Sequence, residues 1–181
     1  MDDTASIAAH DAADVLFAEN RAVFGDDLGP YCGHVHRVIG LISLLVDVPP
    51  ELARPLGVAA FFHDAAIWFD ETWDYLPRSV ERAEAELTDA EGEHRELVAA
   101  MINEHHRVRT AHHAAPIVEA FRRADLGDIS FGRIRPAGIT RGDYLALTAT
   151  YPARGLRPML LRALGRGLKE NPFRPAPMLK L

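Results

Sequence analysis

The stretch FFHDAAIWFD, residues 61–70, sets a histidine and an aspartate side by side within an apolar run. GVAAFF (57–62) leads into it, and Ala65, Ala66, Ile67, Trp68 and Phe69 follow. Such a run reads as the inside of a fold, where an imidazole and a carboxylate need partners to offset their lost hydration. The surrounding segment, 51–69, begins after Pro49 and Pro50, carries Pro55 where a first turn tolerates it, and is alanine-rich. This predicts one continuous helix. On it, His63 and Asp64 would point about 100° apart, so they share a target only where another helix supplies the remaining ligands.

Working outward, Ile7, Val15, Leu16, Phe17, Val23 and Phe24 mark a first amphipathic stretch, ended by a turn at 25–30. Residues 31–46 carry Val35, Val38, Ile39, Leu41, Ile42, Leu44 and Leu45, too apolar for a solvated helix, and should be central. After a polar connection at 70–77, a short helix is expected to reach about Leu87. Thr88 and Glu91 then stand in capping-box spacing before a helix through His105, with Leu97, Val98, Met101 and Ile102 on its apolar stripe. Pro116 suits the first turn of a helix ending near Asp128. Residues 129–138 read as irregular, Thr140 and Asp143 cap a further helix, and 156–168 form a last one. The tail NPFRPAPMLKL (171–181) is too rich in proline for a helix, and either packs extended across the body or is loose. No alternating strand pattern and no repeat is present. The expected class is all-α: one domain over residues 1–181, a bundle of about six to eight helices, with a motif-bearing core at about 20–130 and C-terminal helices and tail at 140–181.

A chain of 181 residues is long enough for one sizeable core. Its apolar runs are interrupted well before the roughly 18 residues of a membrane span, and MDDTASIAAHDAAD is acidic where a signal peptide would be basic. A cytoplasmic protein without a membrane partner is expected. The net charge of −6 argues against nucleic-acid binding, although the charge is uneven. Residues 1–106 hold 6 Lys and Arg against 21 Asp and Glu, whereas residues 107–181 hold 14 against 5. The single cysteine, Cys32, excludes an internal disulfide and a Cys-x-x-Cys zinc motif, leaving histidine and carboxylate as the expected metal ligands. Oligomeric state is open, a homodimer included.

Of nine histidines, His10 and His94 lie among polar residues and should be solvated, and His112 and His113 lie in a polar loop. His34, His36, His63, His105 and His106 fall on or at the ends of apolar helices. A neutral imidazole beside a carboxylate suits Mn, Fe, Co, Ni, Zn or Mg, and a bound cation would remove the cost of burying Asp64.

In their order and context these motifs resemble the HD-domain superfamily of metal-dependent phosphohydrolases. GHVHRVIGLISLL (33–45) resembles its first element, with His34 three residues before Arg37 and four before Val38, which leaves His36 a passenger. AAFFHDAAIW (59–68) resembles the doublet element and FRRADLGDIS (121–130) the closing element, which carries Asp125. The resemblance implies a metal set of His34, His63, Asp64 and Asp125 holding one divalent ion, and hydrolysis of a phosphate ester of a small metabolite or nucleotide. MINEHHRV (101–108) resembles the element in which a histidine follows an isoleucine by three positions, here His105 rather than His106. Two-metal members bind the second ion there, together with a histidine early in the helix after the doublet. DYLPRSVERA (74–83) has no histidine, so a single ion is expected, with His105 touching substrate or a metal-bound water.

Some phosphohydrolases of the superfamily place a catalytic carboxylate three residues after the doublet aspartate, where this chain has Ile67. An acid would then come from Asp70, Glu71, Asp74 or Glu104. The resemblance thus implies His105, Asp74 and Glu104 as catalytic candidates and Arg78, Arg107 and Arg123 as ligands for the phosphate of a small-molecule substrate. It also leaves room for a hydratase or oxygenase of a nonphosphorylated molecule, or for a nucleotide-binding regulatory module on the same scaffold. Within the superfamily the likeness is to bacterial proteins with a tryptophan in the doublet segment and an Asp-Tyr-Leu turn like that at 74–76, which implies no substrate.

Overall fold

In the computed structural model, which describes residues 4–170, 172–173 and 178–179, every regular element among the described residues is a helix. In chain order these are α1 (Thr4–Glu19), α2 (Arg21–Phe24), α3 (Leu28–Leu45), α4 (Ala53–Phe62), α5 (Ala66–Phe69), α6 (Leu76–Glu86), α7 (Arg95–Glu104), α8 (Pro116–Ile129), α9 (Arg141–Thr150) and α10 (Leu156–Glu170). The fold is all-α, as expected. Among the described residues no helix is long and apolar enough to cross a membrane.

Two helices are enclosed on every side. In α3 all residues from His34 to Ile42 are buried, and in α4 all but Arg54 are. Helix α1 packs on α4 and α3, α8 on α3, and α7 lies between α4, α6 and α8. α3 begins at Leu28 rather than at residue 31, with Pro30 in its first turn, where a missing N–H costs nothing. The capping box of Thr88 and Glu91 is present, but it opens a 3-10 turn, Asp89–His94, and α7 starts only at Arg95. Thr140 and Asp143 cap α9 reciprocally, as their spacing predicts. The tail expectation lies largely outside the described residues, of which Met178 is buried and Phe173 exposed.

The inward face of α1 differs from the expected one. Ile7 and Val15 are more than half exposed, while Ala5, Ala9, Ala13, Leu16 and Phe17 are buried. The reason is the closeness of α4: a Cβ on Gly57 would lie 2.4 Å from the Ala9 carbonyl oxygen and 2.8 Å from Ala12 Cβ. Only small side chains fit a seam that tight, so Ala9 and Ala13 face it and Ile7 and Val15 turn outward.

The helix through the doublet is broken. α4 ends at Phe62, and residues 63–65 form a turn before the single turn of α5. Two side chains replace the helical bonds there. His63 Nδ1 donates to the Ala60 carbonyl at 2.7 Å, and the Tyr31 hydroxyl donates to the Phe61 carbonyl at 2.7 Å while accepting from Asp64 N at 3.3 Å. The carbonyls that a continuous helix would use are occupied, so the chain turns at the doublet.

Two outcomes test this packing. Gly57→Ala should lower the urea midpoint, at a cost of about 1–3 kcal/mol, because backbone stands in the way of the new methyl; an unchanged midpoint would contradict the close crossing. Glu91 Oε2 accepts from Thr88 N, Thr88 Oγ1 and Arg54 NH1 at 2.9, 2.8 and 2.6 Å. Burial opposes ionisation of Glu91, but these bonds outweigh it and hold the carboxyl below its usual range. A depressed carboxylate stabilises above its unfolded pKa and loses that contribution as pH falls through the folded value. Glu91→Gln should therefore cost about 1 kcal/mol near pH 7, the gap to wild type narrowing in urea titrations as pH falls through the depressed folded-state value.

Candidate metal centre

Four helix segments aim side chains at one buried point: α3 gives His34, the α4–α5 turn His63 and Asp64, the end of α7 His105 and His106, and α8 Asp125. His34 Nε2 lies 3.1 Å from His63 Nε2 and 3.3 Å from Asp125 Oδ1. His63 Nε2 lies 3.6 Å from Asp64 Oδ2 and 3.9 Å from Asp125 Oδ1. His105 Nε2 lies 3.3 Å from Asp64 Oδ1, and His106 Nε2 lies 3.7 Å from the same oxygen. Donor atoms of His34, His63 and Asp125 all fall within 4.8 Å of one another, as do those of His63, Asp64 and His105, and those of His105, His106 and Asp125. The expected quartet is thus split between two triads that share His63, with His105 completing the second.

What faces inward follows from what is tied outward. His63 Nδ1 and His105 Nδ1 each donate to the carbonyl three residues back, Ala60 and Ile102, at 2.7 Å. His34 Nδ1 donates to Asp128 Oδ2 at 2.7 Å. Each ring therefore commits its Nδ1 proton and presents Nε2 to the cluster, a tautomer set by the outer bond. With Asp64 and Asp125 the centre contains three imidazole nitrogens and two carboxylates. Three of these atoms, Asp64 Oδ1, Asp125 Oδ1 and His105 Nε2, are buried without a hydrogen-bond partner. Buried acceptors facing one another are costly unless protons or a cation lie between them.

The electrostatics agree. Burial opposes charging of Asp64 and Asp125, yet the histidines around them outweigh it and hold both carboxyls below their usual range. Burial likewise opposes protonation of His34, but Asp125 and Asp128 push it up to about 9. Burial brings His63 down to about 4, leaving a neutral ring. Burial opposes protonation of His105 too, but Asp64 raises it, so protons on His34 and His105 offset the two carboxylates. A cation would take the place of those protons among the same imidazole and carboxylate donors, whose rings the outer hydrogen bonds fix. These residues fit such an ion.

Four contributors lay outside the expected set. Asp128 accepts from Arg37 Nε at 2.6 Å, Arg37 NH2 at 2.8 Å, His34 Nδ1 and the Tyr144 hydroxyl at 3.2 Å. Tyr31 shapes the doublet turn, and the Tyr75 hydroxyl lies 2.5 Å from His106 Nε2. Tyr75 occupies the region where the two-metal pattern would need a histidine. Two signals in the sequence pointed to Asp128: Arg37 inside an apolar run demands a carboxylate, and Asp125 and Asp128 stand at i, i+3 spacing.

The remaining candidates are placed elsewhere. Asp74 is exposed before α6, and Glu104 accepts from Arg107 Nε at 2.6 Å and from His112 N at 3.1 Å. Arg78 is exposed and paired with Glu81, Arg107 is paired with Glu104, and Arg123 is half-buried on α8. Asp70 is paired with Arg82, and Ile67 is buried. His10, expected to be solvated, instead stacks on His36 and Tyr151. Comparison of the chain with protein-family models, curated proteins and solved structures finds no match.

Removal of ligands should be read directly as metal content. Protein purified without chelator should carry about one equivalent more divalent metal than His63→Ala or Asp64→Ala, and Asp128→Asn should weaken affinity about 10–100-fold by releasing the His34 ring. Equal metal in wild type and both alanine variants would sink the centre.

Proposed function

We propose that this cluster is the catalytic centre of a metal-dependent hydrolase acting on a phosphate ester of a small metabolite or nucleotide. The observation that carries the reading is the convergence of His34, His63, Asp64, Asp125 and His105 with their Nε2 and carboxylate atoms inward. The motif resemblance points the same way. One divalent ion, held by His34, His63, Asp64 and Asp125, would supply Lewis acidity toward a phosphoryl oxygen and lower the pKa of a water.

The chain's own residues divide the remaining work. His34, His63 and Asp125 side chains are at most 2% exposed, whereas those of Asp64 and His106 are each 17% exposed, so substrate reaches the centre from the Asp64 and His106 side. His105 Nε2 faces Asp64 at that edge and is placed to accept or return a proton. The Tyr75 hydroxyl and His106 form the polar rim. Behind the doublet, Ile67 and Trp68 line a cavity of about 530 Å³ with Asp27, Arg162, Arg166 and Lys169; Asp27 pairs with Arg162, which leaves Arg166 and Lys169 as the basic groups for an anion. Phe61 and Phe62 pack into the aromatic core around Phe17, Phe24 and Phe69, which removes them as an argument for an apolar substrate.

The test is turnover by the protein loaded in turn with Mn, Fe, Co, Ni, Zn and Mg against phosphomonoesters, nucleotides and cyclic dinucleotides. Wild type should release phosphate or cleave the ester, with a loss of at least about 100-fold in Asp64→Ala and a smaller loss in His105→Gln. No turnover of any such ester would refute the hydrolase reading. Nucleotide binding without turnover, unchanged in Asp64→Ala, would assign the scaffold to regulation, and two irons per chain with a charge-transfer band would assign it to oxygen chemistry.

A further inference from the structure

His34 and His36 are two residues apart on α3 and so point about 200° apart. His34 faces the central cluster, while His36 faces α1. There it meets a second polar group. His10 and Asp14 stand one turn apart on α1, and Cys32 and His36 one turn apart on α3, so each helix projects its pair from one stripe toward the other.

The contacts are close. His36, only 3% exposed, has its Nε2 at 3.0 Å from Asp14 Oδ1 and its Nδ1 at 2.7 Å from His10 Nδ1. Donor atoms of Asp14, Cys32 and His36 lie within 4.8 Å of one another. A hydrogen-bonded row from His10 through His36 to Asp14 would satisfy the imidazole without an ion. It does not account for the sulfur. Cys32 is half-buried beside the same carboxylate. Asp14 and Cys32 also line a groove of about 330 Å³ with Phe17, Leu28 and Arg21, which provides both an entry path and room for an exogenous ligand.

We propose that Asp14, Cys32 and His36 form a second cation site, taking a thiophilic divalent ion of the zinc class, with His10 holding the outer nitrogen of His36. One sulfur, one imidazole nitrogen and one carboxylate oxygen are the mixed donors that favour zinc or cobalt over magnesium or calcium. Three protein ligands leave a fourth position open toward the groove. On binding, Cys32 releases its thiol proton to solvent and His36 gives up the Nε2 proton that it donates to Asp14; the proton between His36 Nδ1 and His10 Nδ1 passes to His36, and His10 takes one from solvent on its Nε2, so that one proton is released in all. Cysteine, set aside as a ligand because it is single, becomes one through neighbours on another helix.

Cobalt distinguishes this site from the central one, because Cys32 is the only sulfhydryl in the chain and the central cluster contains none. The metal-stripped full-length protein titrated with Co(II) should develop a thiolate-to-cobalt charge-transfer band in the near ultraviolet that saturates at one thiolate-bound ion per chain. The band should vanish in Cys32→Ser, weaken at least about ten-fold in affinity in Asp14→Asn and His36→Gln, and persist in Asp64→Ala. Asp14 is largely exposed, so its variant tests the ligand without disturbing the core. Absence of the band in wild type, or equal affinity in Asp14→Asn and His36→Gln, would overturn the site whatever the central cluster does.

Discussion

Asp128 holds the centre in place. Its carboxylate, fully buried on α8, receives both nitrogens of the Arg37 fork, the His34 ring and the Tyr144 hydroxyl. Burial works against its charge, but His34 and Arg37 outweigh it and hold it ionised. An unpartnered buried guanidinium costs about 3–5 kcal/mol, so Asp128 and Arg37 are each a condition for the other. The same contact sets the rotation of α3 against α8. With it set, His34 Nε2 and Asp125 Oδ1 meet at 3.3 Å, and Tyr144 secures α9 to the same point. Tyr144 can reach in because Gly132, with φ +68°, leaves the space that a Cβ would fill 2.5 Å from its ring.

How much of this was legible depended on the length scale of the cause. Helix identity came from local patterns: Pro116 at the start of α8, Thr140 with Asp143 at α9 and the largely apolar character of α3 are short-range signals that tertiary packing did not reverse. The break at residues 63–65 was not local. It depends on the hydroxyl of Tyr31, about thirty residues away, reaching the Phe61 carbonyl, and nothing in FFHDAAIWFD announces it. The face of α1 failed for a similar reason, since the closeness of Gly57 decides that alanines go inward. In the site, the resemblance of three motifs to those of a known superfamily led to His34, His63, Asp64 and Asp125, and a fourth to His105. Asp74 and Glu104 rested only on being carboxylates near those motifs, and local pairing or exposure takes them elsewhere.

The break at the doublet also explains how two neighbouring polar residues share one target. A continuous helix would have set His63 and Asp64 on different faces. Here Ala60 O accepts the His63 ring and Tyr31 takes up Asp64 N, so the backbone turns while both side chains stay at the centre. α7 ends with the same device: His105 caps it by donating Nδ1 to Ile102 O. In both cases a carbonyl at a helix C-terminus, otherwise left without a partner, is satisfied by an imidazole N–H, and that bond presents Nε2 forward.

Placing the ligands at helix C-termini has an electrostatic consequence. The carboxyl end of a helix carries partial negative charge, and here two such ends add to the charges of Asp64 and Asp125. The field at the centre therefore favours a cation and opposes a bare anion. On the proposed reading a phosphate ester would meet repulsion unless positive charge were already in place, so a cation at the ligand cluster and basic side chains beside the doublet are requirements of that chemistry rather than additions to it. On α10, Arg166 and Lys169 fit that requirement from the side of Trp68, Arg162 being paired with Asp27. Affinity for an anion at this site should thus depend on the central ligands even where they never touch the ester, because they set the sign of the potential it enters.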